Sequence, residues 1–231
     1  EVKGNYLNIF INKSKFIEET LNNINKDYGK SNLGKNKSIV IDFSAPNIAK
    51  PFSVGHLRST VIGNSIHKLY TKLGYKVTGV NHLGDWGTQF GKLILAYSKW
   101  GKEKELKKNP IKYLLNLYVK FHKEAEKNES LNEGARKEFR KLEKGNKQST
   151  ILWKKFKELS LKEFDKIYKL LGIKFDSYNG ESFYKGMLEK TIKDVKSKVK
   201  TEISEEALII NLEEYKMPPV LLIKSNGSTS Y

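Results

Sequence analysis

The densest group of residues that can do chemistry lies in one short polar stretch, residues 42–58. Gly55 lets a planar group approach the backbone closely, because glycine has no Cβ. His56 beside it can donate a hydrogen bond to a phosphate at the start of a helix, and Lys50 can meet a triphosphate as a point charge. Three further polar side chains that can hold a small polar substrate precede them: Asp42, Ser44 and Asn47.

Each of these residues also has a structural explanation. Asn47 and Ser53 are residue types typical of a turn and a helix N-cap. A histidine near a helix start is more often structural than catalytic, and a lone lysine is usually solvated surface. The individual residues leave both explanations open, and the stretch taken as a whole favours a binding site.

Hydrophobic spacing predicts the elements that position this stretch. Residues 38–43 form a continuous apolar run of strand length, typical of a strand covered on both faces. A helix is predicted from about residue 53 to residue 73, where Gly74 ends it, and residues 76–80 form a second strand. This strand–helix–strand unit predicts a parallel sheet, and ligands bind beyond the carboxyl ends of such strands.

The later part of the chain changes pattern twice. A helix is predicted over residues 88–100, and residues 101–171 carry two apolar stripes at helical spacing, joined by a charged segment. The second region is interpreted as a helical insertion. Residues 171–175 resume the α/β pattern, and two later runs are strand-like, residues 207–210 and 220–223.

The beginning of the chain predicts one strand and then one helix within residues 1–25. A polar stretch with glycine follows over residues 27–37 and has the composition of a linker. One strand and one helix are too little to bury a core of their own. We therefore expect both ends of the sequence to be cuts in a longer chain.

Composition narrows the class of protein without choosing a function. The 231 residues include 38% hydrophobic residues, which is a globular composition, and no apolar run reaches the length of a bilayer. There is no cysteine, which excludes disulfides and cysteine-ligated metal centres. The net charge of +17 suits a polyanion such as RNA or DNA, although the lysines are scattered along the chain.

Several stretches resemble one family. Residues 53–56, Ser-Val-Gly-His, resemble the HIGH motif of class I aminoacyl-tRNA synthetases, whose glycine stacks on the adenine of ATP and whose histidine contacts phosphate. The longer runs at residues 44–60 and 81–91 resemble the arginyl-tRNA synthetases rather than other class I members. Shorter stretches agree with that family: residues 139–143, 152–156, 178–183 and 225–231.

The resemblance covers nearly the whole chain and implies its fold. We expect the α/β class, with a partial Rossmann-like parallel sheet of the class I synthetase type and a helical insertion at about residues 101–171. Residues 1–34 are expected to be the C-terminal remnant of the family's N-terminal additional, tRNA-contacting domain together with a linker. Residues 35–231 are expected to form the first part of the catalytic domain.

The resemblance also implies which residues handle ATP. His56, Lys50 and Ser53 are expected to be catalytic, and the same three residues together with Gly55 are expected to bind ATP. Ser53 stands where the motif has its first histidine, so His56 must carry more of the phosphate contact or share it. The KMSKS loop of the family lies outside the sequence. Lys50 occupies the place of a lysine that replaces this loop when the loop is degenerate.

A second set of residues is expected to bind arginine: Asp42, Ser44, Ala45, Asn47, Glu181 and Tyr231. Asn47 and the backbone of Ser44 and Ala45 are expected at the α-amino and carboxylate ends of the substrate. Glu181 is expected to face the guanidinium, because a carboxylate matches that planar cation. Three residues are expected to support the pocket: His82, Asp85 and Gln89. Asp85 is equally suited to a helix cap.

The implied function is that of an arginine–tRNA ligase. Such an enzyme activates L-arginine with ATP, supplied with Mg²⁺ as a substrate complex, and transfers it to the 3′ end of tRNA(Arg) without a permanently bound metal. The intact enzyme is expected to be a cytoplasmic monomer without membrane contact, and these 231 residues alone are expected to be inactive. Two alternatives stay open: another nucleotidyltransferase or class I synthetase with an HxGH-type loop, and a non-catalytic RNA-binding module built mainly on residues 101–171.

Overall fold

A computed structural model describes residues 1–225, 227 and 229 of the chain. Tyr231, which is expected to line the arginine pocket, lies outside the described residues. The chain begins with two short antiparallel strands, β1 (Val2–Lys3) and β2 (Tyr6–Leu7), followed by helix α1 (Lys13–Asn23). The helix predicted near the beginning of the chain is confirmed as α1. The single strand predicted before it is instead the two-stranded hairpin of β1 and β2. No side chain of α1 is buried.

The predicted strand–helix–strand unit is confirmed. Strand β3 (Ser38–Asp42) leads through a loop to helix α2 (Val54–Lys72), and strand β4 (Lys76–Val80) pairs with β3 in parallel. Ser53 is the N-cap of α2. Gly74 follows the end of the helix with a φ of 84°, a conformation that favours glycine. The carboxyl ends of both strands therefore lie on the same side of the unit.

One face of β3 is less covered than the sequence predicts. The side chains of Ile39 and Ile41 are half-buried, whereas Val40, which points to the opposite face, is 70% exposed. Within the part of the chain that the structure describes, β4 is the only strand in the same sheet. The prediction that this strand is covered on both faces is therefore wrong for the described chain. Some apolar side chains of α2 are also exposed to solvent, and Leu69 is 63% exposed.

Five helices follow the parallel pair. They are α3 (Thr88–Trp100), α4 (Glu103–Lys108), α5 (Pro110–Lys127), α6 (Ser130–Glu143) and α7 (Lys147–Leu171). The predictions of a helix at residues 88–100 and of a helical region at residues 101–171 are confirmed. Asparagine is the N-cap residue of two of these helices, Asn109 for α5 and Asn146 for α7. In both, the side chain accepts a hydrogen bond from a backbone N–H of the first helical turn.

The main hydrophobic core lies among these helices rather than beneath the strands. Helix α3 packs closely on α6: a Cβ on Gly91 would lie 2.2 Å from the backbone oxygen of Ala135, so only glycine fits there. The largest side chains of this cluster are fully buried: Phe90, Ile94, Leu106, Leu114, Phe121, Leu142, Phe156 and Phe164. The core also includes Ile48 and Ala49 from the loop after β3. The helical region is therefore packed against the predicted binding stretch.

The chain returns to the strands later than the sequence predicts. The helical region ends where the sequence predicts, since α7 stops at Leu171 and Gly172 follows it with a φ of 64°. Residues 171–175 were expected to resume the α/β pattern, but residues 173–175 lie outside any strand. The chain meets β4 two residues later, at one isolated parallel bridge between Val80 and Ser177.

The last elements form a second, antiparallel sheet. A 3₁₀ helix (Glu181–Met187) and α8 (Leu188–Lys198) lead to β5 (Glu202–Ser204), β6 (Ala207–Ile210) and β7 (Val220–Ile223). Both runs predicted as strand-like are confirmed as strands, but they are separate from the parallel pair. The structure thus has the predicted α/β class, parallel strands and helical region. Among its described helices, none has both the length and the apolar character needed to cross a membrane.

Candidate active site

Three segments of the chain meet at the carboxyl ends of β3 and β4. Loop one (residues 43–53) joins β3 to α2, loop two (residues 81–87) joins β4 to α3, and the Glu181 segment is residues 176–182. The two loops are joined by a backbone hydrogen bond in which Ile48 N donates to Gly84 O at 3.1 Å. Most of the residues predicted from the sequence lie in these three segments.

Ser53 and His56 are tied to each other at the start of α2. The Ser53 hydroxyl oxygen accepts a hydrogen bond from His56 N at 3.4 Å, and Ser53 N donates to His56 Nδ1 at 3.0 Å. This reciprocal arrangement is a capping box. The N-cap explanation considered for Ser53 is therefore correct, and it leaves the other side of the His56 ring available to a ligand.

The capping contact determines which nitrogen of His56 carries the proton. A backbone N–H can only donate, so Nδ1 accepts and the neutral ring carries its proton on Nε2. Burial lowers the pKa of His56, because desolvation disfavours the charged imidazolium. At neutral pH this residue is therefore a neutral Nε2–H donor at a helix N-terminus, where free backbone N–H groups also favour an anion.

Gly55 and Lys50 lie close to this helix start. A Cβ on Gly55 would have Ser53 Oγ, at 3.6 Å, as its only neighbour within 4 Å in the described chain. A flat group can therefore rest on this stretch of backbone. Lys50 is half-buried and lines a small recess together with Gln89. The structure thus places Lys50 on loop one beside α3 and α5, and its contact with ATP stays a prediction.

Ser44 and Ala45 have polar groups that are already engaged inside the protein. The buried Ser44 hydroxyl lies 2.7 Å from the Tyr168 hydroxyl and 2.8 Å from Thr60 Oγ1. The backbone N–H of Ala45 donates to Asn81 Oδ1 at 3.1 Å. These polar groups are therefore already used within the protein. The predicted contact of Ser44 and Ala45 with arginine would have to use their remaining backbone groups, and it stays a prediction.

Asp85 joins loop two to α7 and to the Glu181 segment. Its side chain is 0% exposed, and its carboxylate accepts hydrogen bonds from Ser182 N at 2.8 Å and Ser182 Oγ at 2.7 Å. It also pairs with Lys157 Nζ at 2.5 Å, while its backbone oxygen accepts from Trp153 Nε1 at 2.7 Å. The alternative that Asp85 is a helix cap is wrong, since Gly87 precedes α3 without a side-chain cap.

Glu181 lies directly against loop two. Its carboxylate accepts a hydrogen bond from Trp86 N at 3.0 Å, and its own backbone N–H donates to Leu83 O at 3.0 Å. The side chain is half-buried. Its contact with a guanidinium stays a prediction.

His82 and Asp42 lie at the strand ends on the side of the Glu181 segment. The exposed Asp42 carboxylate accepts a hydrogen bond from His82 N at 3.3 Å. The His82 ring contacts Asn179 O through Nδ1 at 3.0 Å, so Nδ1 donates and the neutral ring leaves Nε2 as an acceptor. Its centroid lies 5.8 Å from that of the Tyr184 ring. His82 therefore connects the Glu181 segment to the end of β3 through hydrogen bonds with Asn179 and Asp42.

A cavity of about 210 Å³ opens between the two loops and α6. Asn47 and Gln89 both line it, so the structure brings together two of the residues predicted for the arginine pocket. Trp86 and Phe139 contribute aromatic rings whose centroids lie 5.7 Å apart. This volume lies below the range of drug-sized pockets and suits a ligand the size of an amino acid.

Glu143 lines the same cavity and was not predicted as a site residue. Burial raises the pKa of its carboxyl group, although the positive charges of Lys185, Arg140 and Lys224 oppose this shift. The sequence signal was present, because Glu143 ends one of the stretches that carry the family resemblance. It was missed because an acid at the end of a charged helix is usually a solvated residue.

The raised pKa of Glu143 predicts a pH dependence of stability. A carboxyl group whose pKa is higher in the folded state stabilises the protein below its unfolded pKa, and this contribution is lost as pH rises through the folded value. We therefore expect Glu143→Gln to gain melting temperature relative to wild type between pH 4.5 and pH 8, from the ordinary pKa of 4.5 upward. Thermal melts across this range measure the trend. Glu133→Gln, an exposed position in α6, is the control, and a similar trend there would contradict the assignment to Glu143.

Known proteins resemble almost the whole chain. Residues 17–231 match the family described as tRNA synthetases class I (R), catalytic domain. Arginine–tRNA ligases from Clostridium botulinum and Halothermothrix orenii are 50% and 51% identical to it over 231 residues, which is 99% of this chain and 41% of each relative. The chain thus spans less than half the length of these curated relatives.

A solved structure agrees with the sequence comparisons. The crystal structure of arginyl-tRNA synthetase from Plasmodium falciparum superimposes with a TM-score of 0.69 and 35% identity, over 87% of this chain and 33% of that one. The sequence match to the family spans all three segments of the candidate site. The chain therefore belongs to the catalytic-domain family of the class I tRNA synthetases for arginine.

Proposed function

We propose that this chain carries part of the active site of an arginine–tRNA ligase, which joins L-arginine to the 3′ end of tRNA(Arg) at the expense of ATP. One observation carries the proposal: at the start of α2 the neutral Nε2–H of His56 lies beside free backbone N–H groups and the open backbone of Gly55. This arrangement suits phosphate oxygens at the helix terminus and an adenine ring over the glycine.

The proposed reaction has two steps. In the first, a carboxylate oxygen of arginine attacks the α-phosphorus of ATP, and the bond from that phosphorus to the bridging oxygen of the β-phosphate breaks. Arginyl-adenylate forms and pyrophosphate leaves. In the second, a ribose hydroxyl at the 3′ end of the tRNA attacks the arginyl carbonyl carbon and gives up its proton to the leaving phosphate. The bond from the carbonyl carbon to the phosphate oxygen breaks, and AMP leaves with the bonding electron pair.

The side chains act by positioning and by charge stabilisation, because neither step needs a covalent bond to the protein. His56 donates its Nε2–H to a phosphate oxygen, and Ser53 holds the ring in that orientation. Lys50 supplies positive charge from loop one. We propose these three residues and Gly55 as the nucleotide-handling set.

Arginine is proposed to occupy the cavity beside loop two. Asn47 and Gln89 line this cavity, which supports the proposal that Asn47 binds the polar ends of the substrate and that Gln89 supports the pocket. Glu181 is proposed to face the guanidinium. The support for this role is its position beside Trp86, whose ring forms part of the cavity wall. Asp42, at the end of β3, is proposed to lie at the α-amino end.

Magnesium is proposed to enter with ATP, where it neutralises charge on the phosphates. The described residues contain no group of three or more His, Cys, Asp or Glu side chains that could hold a metal ion. His56, Lys50 and backbone N–H groups are proposed to contact the phosphates directly. The net charge of +17 supports a polyanionic partner, and tRNA(Arg) is proposed as that partner. The intact enzyme is proposed to be a monomer in the cytoplasm.

The boundary near residue 34 is likewise a proposal. Within residues 1–30 no side chain is buried, which supports assigning this segment to a neighbouring domain. Gly34 is the first buried residue, and its backbone N–H donates to Leu73 O at 2.9 Å. Ser31 N already donates to Lys72 O at 3.1 Å, and a Cβ on Gly34 would lie 2.1 Å from the ring of Tyr75. The chain therefore meets the end of α2 over residues 31–34.

The function is tested by ATP–pyrophosphate exchange with the full-length protein, for each amino acid and with or without tRNA. The proposal expects exchange with arginine and with no other amino acid. Exchange with a different amino acid would show another class I enzyme. RNA binding without any effect of ATP or arginine on the melting temperature would show the non-catalytic RNA-binding module instead.

Replacement of Lys50 tests its proposed role with ATP. Lys50→Ala in the full-length protein is expected to lower the arginylation rate by roughly tenfold, since a partly solvated charge contributes less than a buried donor. Lys50→Arg should keep most of the rate because it keeps the charge. The exposed Lys99 of α3 is the control, as Lys99→Ala. An arginylation rate for Lys50→Ala equal to that of the control would remove Lys50 from the catalytic set.

A further inference from the structure

One face of α7 lies against both loops of the proposed site. The residues on this face recur at intervals of four, three, four and four positions: Trp153, Lys157, Ser160, Phe164 and Tyr168. This spacing keeps them on one side of a helix. Trp153 and Lys157 bind Asp85 of loop two, and Ser160 Oγ accepts a hydrogen bond from Ala49 N of loop one at 2.8 Å.

Loop one contains three residues with a Cβ in the left-handed backbone region. Their φ angles are 79° at Ser44, 49° at Ala45 and 60° at Ala49. This conformation is unfavourable for any residue but glycine, so it persists only where neighbouring groups hold it. The shape of loop one is therefore set by contacts from outside the loop.

Tyr168 supplies the contacts that hold the first two of these residues. Its buried hydroxyl lies 2.7 Å from Ser44 Oγ and accepts a hydrogen bond from Asn81 Nδ2 at 3.0 Å. The other end of the same Asn81 side chain accepts the backbone N–H of Ala45 at 3.1 Å. Ser160, about two turns earlier on the same face of α7, holds the third residue, Ala49. Helix α7 thus fixes all three left-handed positions.

The same network reaches the proposed phosphate site. Thr60 Oγ1 lies 2.8 Å from Ser44 Oγ and donates to His56 O at 2.6 Å. The hydroxyl groups of Ser44 and Thr60 therefore connect the Tyr168 hydroxyl to the backbone oxygen of His56. Because the hydrogen bonds of a buried network strengthen one another, loss of one member affects the others.

We propose that Tyr168 is a positioning residue, which acts through Ser44 and Asn81 to hold loop one in the geometry needed to bind arginine and ATP together. This inference rests on the proposed function. Without the Tyr168 hydroxyl, the Asn81 N–H loses its acceptor and Ser44 loses a partner, while the aromatic packing stays in place. Loop one is then free to leave its left-handed conformation.

Tyr168→Phe in the full-length enzyme tests the inference, with Tyr113→Phe as a matched control. The Tyr113 hydroxyl also bridges two groups within the helical region, since it accepts from Lys102 N at 2.7 Å and donates to Trp100 O at 3.3 Å. Its partners lie outside both loops. The measurements are the melting temperature and kcat and KM for arginine and for ATP in pyrophosphate exchange.

We expect both variants to lower the melting temperature by similar amounts. Only Tyr168→Phe should lower kcat/KM for arginine, by about tenfold, because it removes two buried hydrogen bonds from the loop. Addition of Ser44→Ala to Tyr168→Phe should then cost less than Ser44→Ala alone, since both act on one network. Equal kinetics for Tyr168→Phe and Tyr113→Phe would overturn the inference. Absence of arginine-dependent exchange in the wild type would instead overturn the proposed function.

Discussion

Replacement of Asp85 by alanine is expected to cost the protein roughly 3–5 kcal/mol of folding free energy, the usual penalty for removing one partner of a buried ion pair. The variant leaves Lys157 without its carboxylate and leaves the N–H and hydroxyl of Ser182 without an acceptor. Because Ser182 adjoins Glu181, the arginine KM should also rise, by about tenfold. Denaturant unfolding and pyrophosphate exchange measure the two effects.

Two further variants make the Asp85 experiment decisive. Asp85→Asn keeps an acceptor for Ser182 but loses the charge, so its stability should lie between wild type and Asp85→Ala. Glu103→Ala is the control, because Glu103 also pairs with a lysine of α7, Lys155, at 2.5 Å and accepts from a hydroxyl, but lies in solvent. A loss of stability in Glu103→Ala as large as that in Asp85→Ala would show that burial of the pair is not the cause.

Replacement of His56 by asparagine is expected to lower kcat for pyrophosphate exchange by about a hundredfold, the effect of removing one donor to a developing charge. Asparagine Oδ1 takes the place of Nδ1, so the capping contact with Ser53 N is kept and stability should change little. Only the Nε2–H donor is lost. His56→Gln should keep much more activity, because glutamine at this helix position can cap the helix and still present an N–H.

The same substitution elsewhere in α2 serves as the control for His56. His67 lies three turns further along the helix, about 16 Å from His56 along the helix axis, where its ring contacts Phe43 and Asp176 rather than the helix start. His67→Asn should leave kcat and the ATP KM unchanged. Equal activity of His56→Asn and His56→Gln would contradict the assignment of Nε2–H as the phosphate donor. The low pKa of His56 also predicts that the ATP KM does not rise as pH increases through the ordinary histidine range.

The elements around the site were predictable because each has a strong local signal. The bounds of β4 and α3 agree with their apolar spacing, and Gly74 marks the end of α2 as expected. The end of α7 was also predictable, because Gly172 follows Leu171 in the left-handed conformation that ends many helices. The bridge between Val80 and Ser177 was not, since a single pairing of residues 97 positions apart leaves no periodic pattern in the sequence.

The position of Ser53 and His56 at a helix start was predictable, because the apolar spacing of α2 and the N-cap residue mark that start. The partners of Asp85 and Tyr168 were not predictable, because they lie far away in sequence. Asp85 binds Ser182 at a separation of 97 positions, and Tyr168 contacts Ser44 at a separation of 124 positions. A local sequence pattern carries no information on such pairs.

The stripe on α7 also constrains how the family can vary in length. Insertion of one residue between Trp153 and Ser160 would rotate all later positions by about 100° and remove Ser160 and Tyr168 from the loops together. Asn128 and Glu129 form an exposed turn between α5 and α6, where an added residue would not change which side chains face the loops. Among relatives of this protein, insertions and deletions should therefore collect at that turn, while the number of residues between Trp153 and Tyr168 stays constant.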